Sequence, residues 1–294
     1  MDIKPQSSVI QQVIHHSYAI GDCIMVFGSS YSIGNAPDLN FVTSKHTVME
    51  KAGLDAVALT ALIRAAEMLG YDDDYDIADR LERGSHDDYT KPLTNYVAHR
   101  LSLFRSAVKR AVTPPVTYAY DLGRVTRVSS PSPSSGSLLQ DMNYIYPWSA
   151  TNGFDRRAPY ENTAIQEALR AAFFTQQQYH HVGLQNSNEF KSSLEDAPSA
   201  ELEIPAEMLS LAMTAVESVI SDHNLNLIKP TDFNATSSSA YRAHLVRLTD
   251  FQRARPKRYH RVMHSLFVAA TTGHAMHPGA NNGEAIDWAG IPDE

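Results

Sequence analysis

SSSAYRAHLVRLTDFQRARPKRYHRVMHSLFVAA, at Ser237–Ala270, is the most informative stretch for the fold. Apolar residues recur there at spacings of three and four, which is typical of amphipathic helices. Pro256 has no amide proton and disfavours helical geometry at Arg255, so one helix should end there and another should begin. The stretch therefore predicts two helices joined at a hinge. Their apolar stripes are Tyr241, Leu245, Leu248 and Phe251, then Tyr259, Met263, Leu266 and Phe267.

The same periodicity recurs earlier in the chain. We expect helices over Asp55–Leu69, Tyr89–Thr113, Asn162–Phe174 and Pro205–Ile220, the second of them ended by Pro114 and Pro115. Ile24–Phe27 fits a strand or a buried helix equally well, and strands hardly register elsewhere. The predicted fold is all-α, a multi-helix array of antiparallel helices. Its expected core includes Leu101, Phe104, Phe173, Val216, Leu245 and Phe267.

The middle of the chain has a different composition. Residues 124–137 are rich in serine and proline and poor in apolar groups, which predicts an exposed linker and a candidate subdomain boundary. Tyr144–Trp148 is aromatic, and we expect a short extended segment there. The tail at 271–294 has too little apolar content to predict an ordered element.

The helical segments also carry a resemblance to a known family. In chain order they contain VAHRLSLFRSAVK (Val97–Lys109), Tyr144 and Tyr146, IQEALRAAFF (Ile165–Phe174), Phe190, PAEMLSLAMTAV (Pro205–Val216) and Tyr241–Phe267. This order resembles a helical domain of unknown function that is widespread in mushroom-forming fungi. The resemblance covers roughly 55–270, leaves 1–54 and 271–294 outside, and implies a fold without an activity.

Composition limits the classes of function. The net charge of −8 opposes general nucleic-acid binding, because a field of that sign repels phosphate backbones. The lone cysteine, Cys23, cannot form an intramolecular disulfide and fits a reducing compartment or a packed side chain. No run approaches the ~20 apolar residues of a membrane span. We therefore expect a soluble intracellular protein, cytoplasmic or nuclear.

The hinge is the main candidate site. Five cations lie close together there, with Tyr259 available for stacking and His260 able to add charge below a pH of about 6.5. One interpretation is that they pair with the protein's own acidic residues, such as those at 72–76. The other is a local site for an acidic partner segment or for phosphates. The cations are Arg253, Arg255, Lys257, Arg258 and Arg261.

An alternative is a Mg²⁺-dependent enzyme acting on a prenyl diphosphate. The carboxylates Asp72, Asp73 and Asp76 could hold Mg²⁺, and the run resembles the aspartate motif of class I terpene synthases. Asn188, Ser192 and Asp196 resemble a degenerate form of their second metal motif, and Arg258-Tyr259 their late Arg-Tyr pair. Glu189 stands where an aspartate is usual, and Gly70 ends the helix before the acidic run. A solvated acidic loop is the favoured interpretation.

The 13 histidines suggest a second metal hypothesis. His260 and His264, four residues apart on one helix, could share an ion with His244 or the His180-His181 pair. Capping or packing is the favoured interpretation for all of them, and no cofactor is predicted. His274 and His277 fall in the tail. We expect a macromolecule-binding or regulatory module whose partner is an unknown protein or a locally bound anion, with the Mg²⁺ enzyme as the alternative.

Overall fold

The computed structural model describes residues 7–28, 43–70, 77–83, 86–122, 132–175, 179–194, 201–227, 230–231, 233 and 237–272. Within these ranges, the side chains of 43–52, 83 and 86–87 are not described. The acidic run at 72–76 and the tail from 273 onward therefore lie outside the described residues.

Helices dominate the described part of the chain, which confirms the all-α prediction. The sheet in the described residues is a small antiparallel hairpin with two residues in each strand, β1 (Trp148–Ser149) and β2 (Gly153–Phe154). Trp148 lies opposite Phe154. Single π-helical turns lie next to helices, at Ile24–Gly28, His86–Thr90 and Arg170–Phe174. The 3₁₀ turns lie at Gln140–Ile145 and Ser187–Glu189. The helices are α1 (Ser8–Cys23), α2 (Thr43–Met68), α3 (Ile77–Arg83), α4 (Lys91–Ala119), α5 (Ser135–Leu139), α6 (Thr163–Leu169), α7 (His180–Leu184), α8 (Ala206–Asn224), α9 (Ser238–Ala254) and α10 (Pro256–Thr271).

The α8 helix is the centre of the core. Every residue from Met208 to Val216 is buried, and the helix packs against α4, α5, α6 and α9. A helix that is buried all round must be largely apolar on every face, and MLSLAMTAV meets that requirement with serine and threonine as its only polar residues. Thr214 satisfies its hydroxyl by donating to the carbonyl of Ser210 at 2.6 Å.

The predicted core is largely confirmed. Leu101, Phe104, Phe173 and Val216 are fully buried, and Phe267 is nearly so. Leu245 is half-buried and packs against the edge of the core. A single apolar cluster joins residues from both sides of the 124–137 stretch. Of that stretch, the described portion contains the start of α5, capped by the Ser134 hydroxyl.

The prediction that Pro114 and Pro115 end a helix is wrong. The α4 helix continues through both prolines to Ala119. Two backbone hydrogen bonds are lost there, but Val112, Val116 and Tyr120 remain buried on one face, and their packing offsets the loss. The Thr113 hydroxyl also donates to the Lys109 carbonyl at 2.8 Å.

Three further boundaries differ from expectation. The α2 helix begins at Thr43 rather than near Asp55. Residues 24–28 continue α1 as a π-helical turn, so the strand alternative is wrong. Tyr144 and Ile145 lie in a 3₁₀ turn and are fully buried, and the extended segment is limited to the hairpin strand that starts at Trp148.

The hinge prediction is confirmed. The α9 helix ends at Ala254, Arg255 leaves helical geometry with φ −145° and ψ 63°, and Pro256 is the first residue of α10. Proline suits that position because the first amide of a helix has no acceptor within it. The Arg255 carbonyl accepts from the amides of Arg258 and Tyr259 at 3.0 and 2.9 Å and so starts the new helix.

Candidate functional site

The basic hinge, defined as Arg253, Arg255, Lys257, Arg258 and Arg261, lies at the α9–α10 joint with all five side chains exposed. Arg253 pairs with Asp250 at 3.2 Å on the same helix, where both side chains face solvent. Arg258 pairs with Glu161 at 2.6 Å. Arg255, Lys257 and Arg261 form no ion pair with any other described residue. Pairing with the protein's own acidic residues therefore explains two of the five hinge cations. The other three have no such partner in the described structure.

A cleft of about 540 Å³ opens beside the hinge. One wall is α10, which contributes Arg258, Arg261 and Ser265. The other is formed by Glu161 and by Gln166 of α6. Because residues three apart on a helix share a face, Arg258 and Arg261 present their guanidinium groups to the same space. The cleft thus combines two arginines with neutral hydrogen-bonding groups and a single carboxylate among its described lining residues.

The position of Glu161 is fixed by its neighbours. Tyr160 has φ of 63°, a left-handed conformation that is unusual for a tyrosine, and its amide donates to the Ile145 carbonyl at 2.9 Å. Asn162 caps α6 by accepting from the Ala164 amide at 3.0 Å, and its side-chain amide donates to the carbonyls of Tyr144 and Tyr146. The backbone of Glu161 is therefore held on both sides, while its side chain stays 39% exposed.

The structure corrects the roles predicted for Tyr259 and His260. Tyr259 is 5% exposed and packs edge-on against Phe251, with ring centroids 5.7 Å apart, so it is not available to stack on a ligand. His260 is 8% exposed, and its ring nitrogens contact Glu203 and Glu201. Consecutive residues on a helix differ by about 100° in direction, so the two turn inward while Lys257, Arg258 and Arg261 face solvent.

His260 lies between two carboxylates. Its Nδ1 is 2.6 Å from Oε1 of Glu203 and its Nε2 is 2.8 Å from Oε2 of Glu201. Burial alone would lower the pKa of His260, but the hydrogen bonds to Glu203 and Glu201 outweigh it and raise the pKa above its ordinary value. The buried Glu203 carboxylate also accepts from the Ser193 amide and from the hydroxyls of Ser192 and Ser193. These hydrogen bonds connect α10 with residues 192–193 and with residues 201–203.

Within the described part of the chain, the histidines do not converge on a shared metal site. Nδ1 of His264 lies 2.8 Å from the Leu202 carbonyl oxygen, which can only accept, so this nitrogen is protonated and donates. Its ring stacks on that of His260, with an interplanar angle of 9° and centroids 6.0 Å apart. Within the described ranges, no group of three or more His, Cys, Asp or Glu side chains could hold a metal ion. His181 lies elsewhere, 3.7 Å from Asp22.

The residues of the Mg²⁺ hypothesis are only partly described. Asp72, Asp73, Asp76 and Asp196 lie outside the described residues, as do His274 and His277. Asn188 is in a 3₁₀ turn and lines a second cleft of about 610 Å³ between α1, α2 and α7. Ser192 follows that turn and points to Glu203. Asn188 and Ser192 therefore do not share a helical face, which the second metal motif would need.

Cys23 lines the second cleft but is not an activated nucleophile. Burial raises the pKa of its thiol to about 12, and the charge of Asp22 adds to the effect. The sulfur accepts a hydrogen bond from the Asn186 side chain at 3.3 Å. A thiol with this pKa stays protonated at neutral pH, and the thiolate is the reactive form.

A buried polar network was not predicted from the sequence. The Tyr144 hydroxyl donates to Oε2 of Glu217 at 2.6 Å, so Nε2–H of His244 must donate to Tyr144 across the 2.8 Å contact between them. Nδ1 of His244 then carries a lone pair and accepts from the Tyr160 hydroxyl at 3.1 Å. Burial, reinforced by the nearby charge of Arg247, lowers the pKa of His244 to about 3, which keeps it neutral. The sequence signal for the burial of His244 was its position between Tyr241 and Leu248 in the apolar stripe of α9.

Fold and site together define an all-α domain with an exposed basic hinge beside a cleft. Residues 40–251 match a family described as a domain of unknown function (DUF6532), and the chain belongs to that family. The match begins before Asp55 and ends before Arg253, so the basic hinge lies beyond the matched residues. Comparisons with curated proteins and with solved structures found no match. Among the described helices, none is both long and apolar enough to cross a membrane.

Proposed function

We propose that this chain is a protein-binding module whose basic hinge receives an acidic segment of a partner protein. The observation that supports this most strongly is that Arg255, Lys257 and Arg261 form no ion pair with any described residue. The chain has 33 acidic and 25 basic residues, yet these three exposed cations have no acidic partner among the described residues. Like charges this close repel one another, and an anionic partner would relieve that repulsion.

A protein partner is favoured over a nucleic acid. The net charge of −8 opposes long-range attraction of a polyanion. Single-stranded nucleic acids also rely on exposed aromatic rings for base stacking, and Tyr160 and Tyr259, the tyrosines next to the hinge and cleft, are both buried. A short acidic segment requires neither property, because its carboxylates can pair with a few separate cations.

The same proposal includes where in the cell the protein acts. We place the module inside a cell, in the cytoplasm or nucleus, because a single half-buried cysteine fits a reducing compartment. A fungal origin, implied by the family resemblance, stays a prediction.

The test uses a labelled oligo-glutamate peptide and two variants of equal net charge. Arg255→Ala with Lys257→Ala removes two hinge cations, and Arg110→Ala with Lys191→Ala removes two exposed cations elsewhere. We expect the hinge variant to lose most of the binding and the control to keep it. We also expect the affinity of the wild type to fall steeply between about 50 and about 300 mM salt. Equal binding by both variants would refute a role for the hinge.

A further inference from the structure

The cleft beside the hinge contains a pair of arginines in different states. Arg258 already holds a carboxylate, with Nη2 2.6 Å from Oε1 of Glu161. Arg261, one turn further along α10, lines the same cleft and has no anionic partner among the described residues. Arginine presents several N–H groups in a planar fork, so two arginines around one space can share a ligand that has several acceptor oxygens.

We propose that this cleft is a phosphate-monoester site that takes a phosphorylated side chain of the partner protein. The proposal rests on the proposed function of the basic hinge and names the group that anchors the partner there. Arg258 and Arg261 would bind the phosphate oxygens together. Ser265 and Gln166 lie in the same lining and offer further donors to them.

The internal carboxylate is the reason for preferring a phosphate. A carboxylate from the partner would replace Glu161 at Arg258 with a chemically equivalent group, which gives little net gain. A phosphate monoester carries a charge of about −1.5 to −2 at pH 7 and three strong acceptor oxygens, so it can bind both guanidinium groups at once. Glu161 therefore competes with singly charged anions for Arg258, whereas a doubly charged phosphate displaces it.

Release of Glu161 needs no rearrangement of the fold. Its backbone is held by Tyr160 and Asn162, so the side chain alone would move. The Glu161 and Arg258 side chains are 39% and 43% exposed, and the displaced carboxylate can turn into water without leaving a buried charge. An exposed pair of this kind contributes about 0.2–1 kcal/mol, which a dianionic ligand can overcome.

A nucleic acid fits this cleft less well. Its backbone phosphates are diesters with one negative charge each, and binding them usually requires a row of cations along a strand. Here the two arginines lie in one cleft, and the adjacent tyrosines are buried. The geometry suits a single terminal phosphate on a flexible side chain.

The test is a binding titration with a short glycine- and serine-rich peptide that contains one phosphoserine. The same peptide with serine or glutamate at that position is the comparison, and a single-stranded oligonucleotide is the competitor. We expect the phosphopeptide to bind best. Arg261→Ala should weaken its binding about tenfold or more, whereas Glu161→Gln should strengthen it about two- to fivefold by removing the competing carboxylate. Arg110→Ala, which removes an exposed cation outside both the hinge and the cleft, should change nothing.

The gain with Glu161→Gln is decisive, because a damaged fold could not produce it. The proposal fails if Glu161→Gln binds the phosphopeptide no better than the wild type, if the glutamate peptide binds equally well, or if the oligonucleotide displaces the phosphopeptide more efficiently than unlabelled phosphopeptide. If the oligo-glutamate peptide still depends on Arg255 and Lys257 in that case, the proposed function stands and the phosphate site alone is wrong.

Discussion

The hydroxyl of Tyr160 lies 3.1 Å from Nδ1 of His244, and this contact links the core to the cleft. His244 is fully buried on α9, and Tyr160 immediately precedes Glu161, the acidic partner of Arg258. The neutral histidine accepts from Tyr160 and donates to Tyr144, so its tautomer is fixed by the network around it. The position of the Glu161 carboxylate therefore depends on the buried hydrogen bond between Tyr160 and His244, which are 84 residues apart in the chain.

We predict that Tyr160→Phe destabilises the fold and changes the cleft. The variant leaves Nδ1 of His244 buried without a donor, which costs about 1–3 kcal/mol. Denaturant unfolding measures the loss. His244→Leu removes the histidine but leaves two tyrosine hydroxyls with fewer partners, so it should cost at least as much. An unchanged unfolding midpoint for Tyr160→Phe would mean that the hydrogen bond contributes nothing to stability.

The His260 cluster predicts a dependence of stability on pH. The folded pKa of His260 is raised, so its contribution is complete below the ordinary pKa of about 6.5 and is lost as the pH rises through the folded pKa. We expect the melting temperature to fall as the pH increases through that window. Glu201, Glu203 and His264 all face this ring.

A variant separates this effect from other titrations. His260→Gln keeps hydrogen bonding but cannot titrate, so its melting temperature should depend less on pH than that of the wild type. Identical pH profiles for the two proteins would show that the carboxylates do not favour the charged histidine in the folded state.

Asp22 predicts a second pH effect with the same sign. It is 2% exposed, and burial raises its pKa to about 7, although the charge of Arg100 acts in the opposite direction. A raised carboxyl pKa gives stability that is complete below about 3.8 and is lost as the pH rises through about 7. Asp22→Asn should therefore stabilise the protein by about 2–3 kcal/mol more at pH 8 than at pH 5. Urea unfolding at both pH values checks this, and equal differences at the two would contradict it.

Neighbouring residues on α4 test the core. Phe104 is fully buried and packs edge-on against Tyr179, with ring centroids 4.8 Å apart, whereas Leu103 is 47% exposed. Phe104→Ala should cost roughly 3–5 kcal/mol of unfolding free energy because it leaves a cavity. Leu103→Ala should cost less than about 1 kcal/mol. Similar losses for both would mean that α4 presents a different face to the core.

Some of these features were accessible from the sequence. The apolar periodicity of Tyr89–Thr113 and the stripe from Tyr259 to Phe267 predicted the helices α4 and α10 and their buried faces, and Pro256 located the hinge. These are local properties, set by helical periodicity and by the missing amide of proline. The same stripe already placed Tyr259 in the core, so its predicted stacking role conflicted with the pattern that defined the helix.

Other features depend on contacts between distant residues. Tyr144 and Tyr160 meet His244 across separations of 100 and 84 residues, and no local spacing indicates such a contact. The continuation of α4 through Pro114 and Pro115 also depends on tertiary packing, because local propensity alone favours a helix end there. The pairing of Arg258 with Glu161, 97 residues apart, is of the same kind.

The most direct test of the central claim, that the basic hinge binds an acidic partner segment, is an NMR titration of the wild-type protein with an oligo-glutamate peptide. We predict that the backbone amides that shift will cluster between Arg253 and Arg261, with Glu161 and Ser265 among their neighbours, and that salt will reverse the shifts. Shifts centred elsewhere, such as the exposed Tyr118 and Leu225 at the ends of α4 and α8, or no salt-sensitive shift at the hinge, would contradict the account.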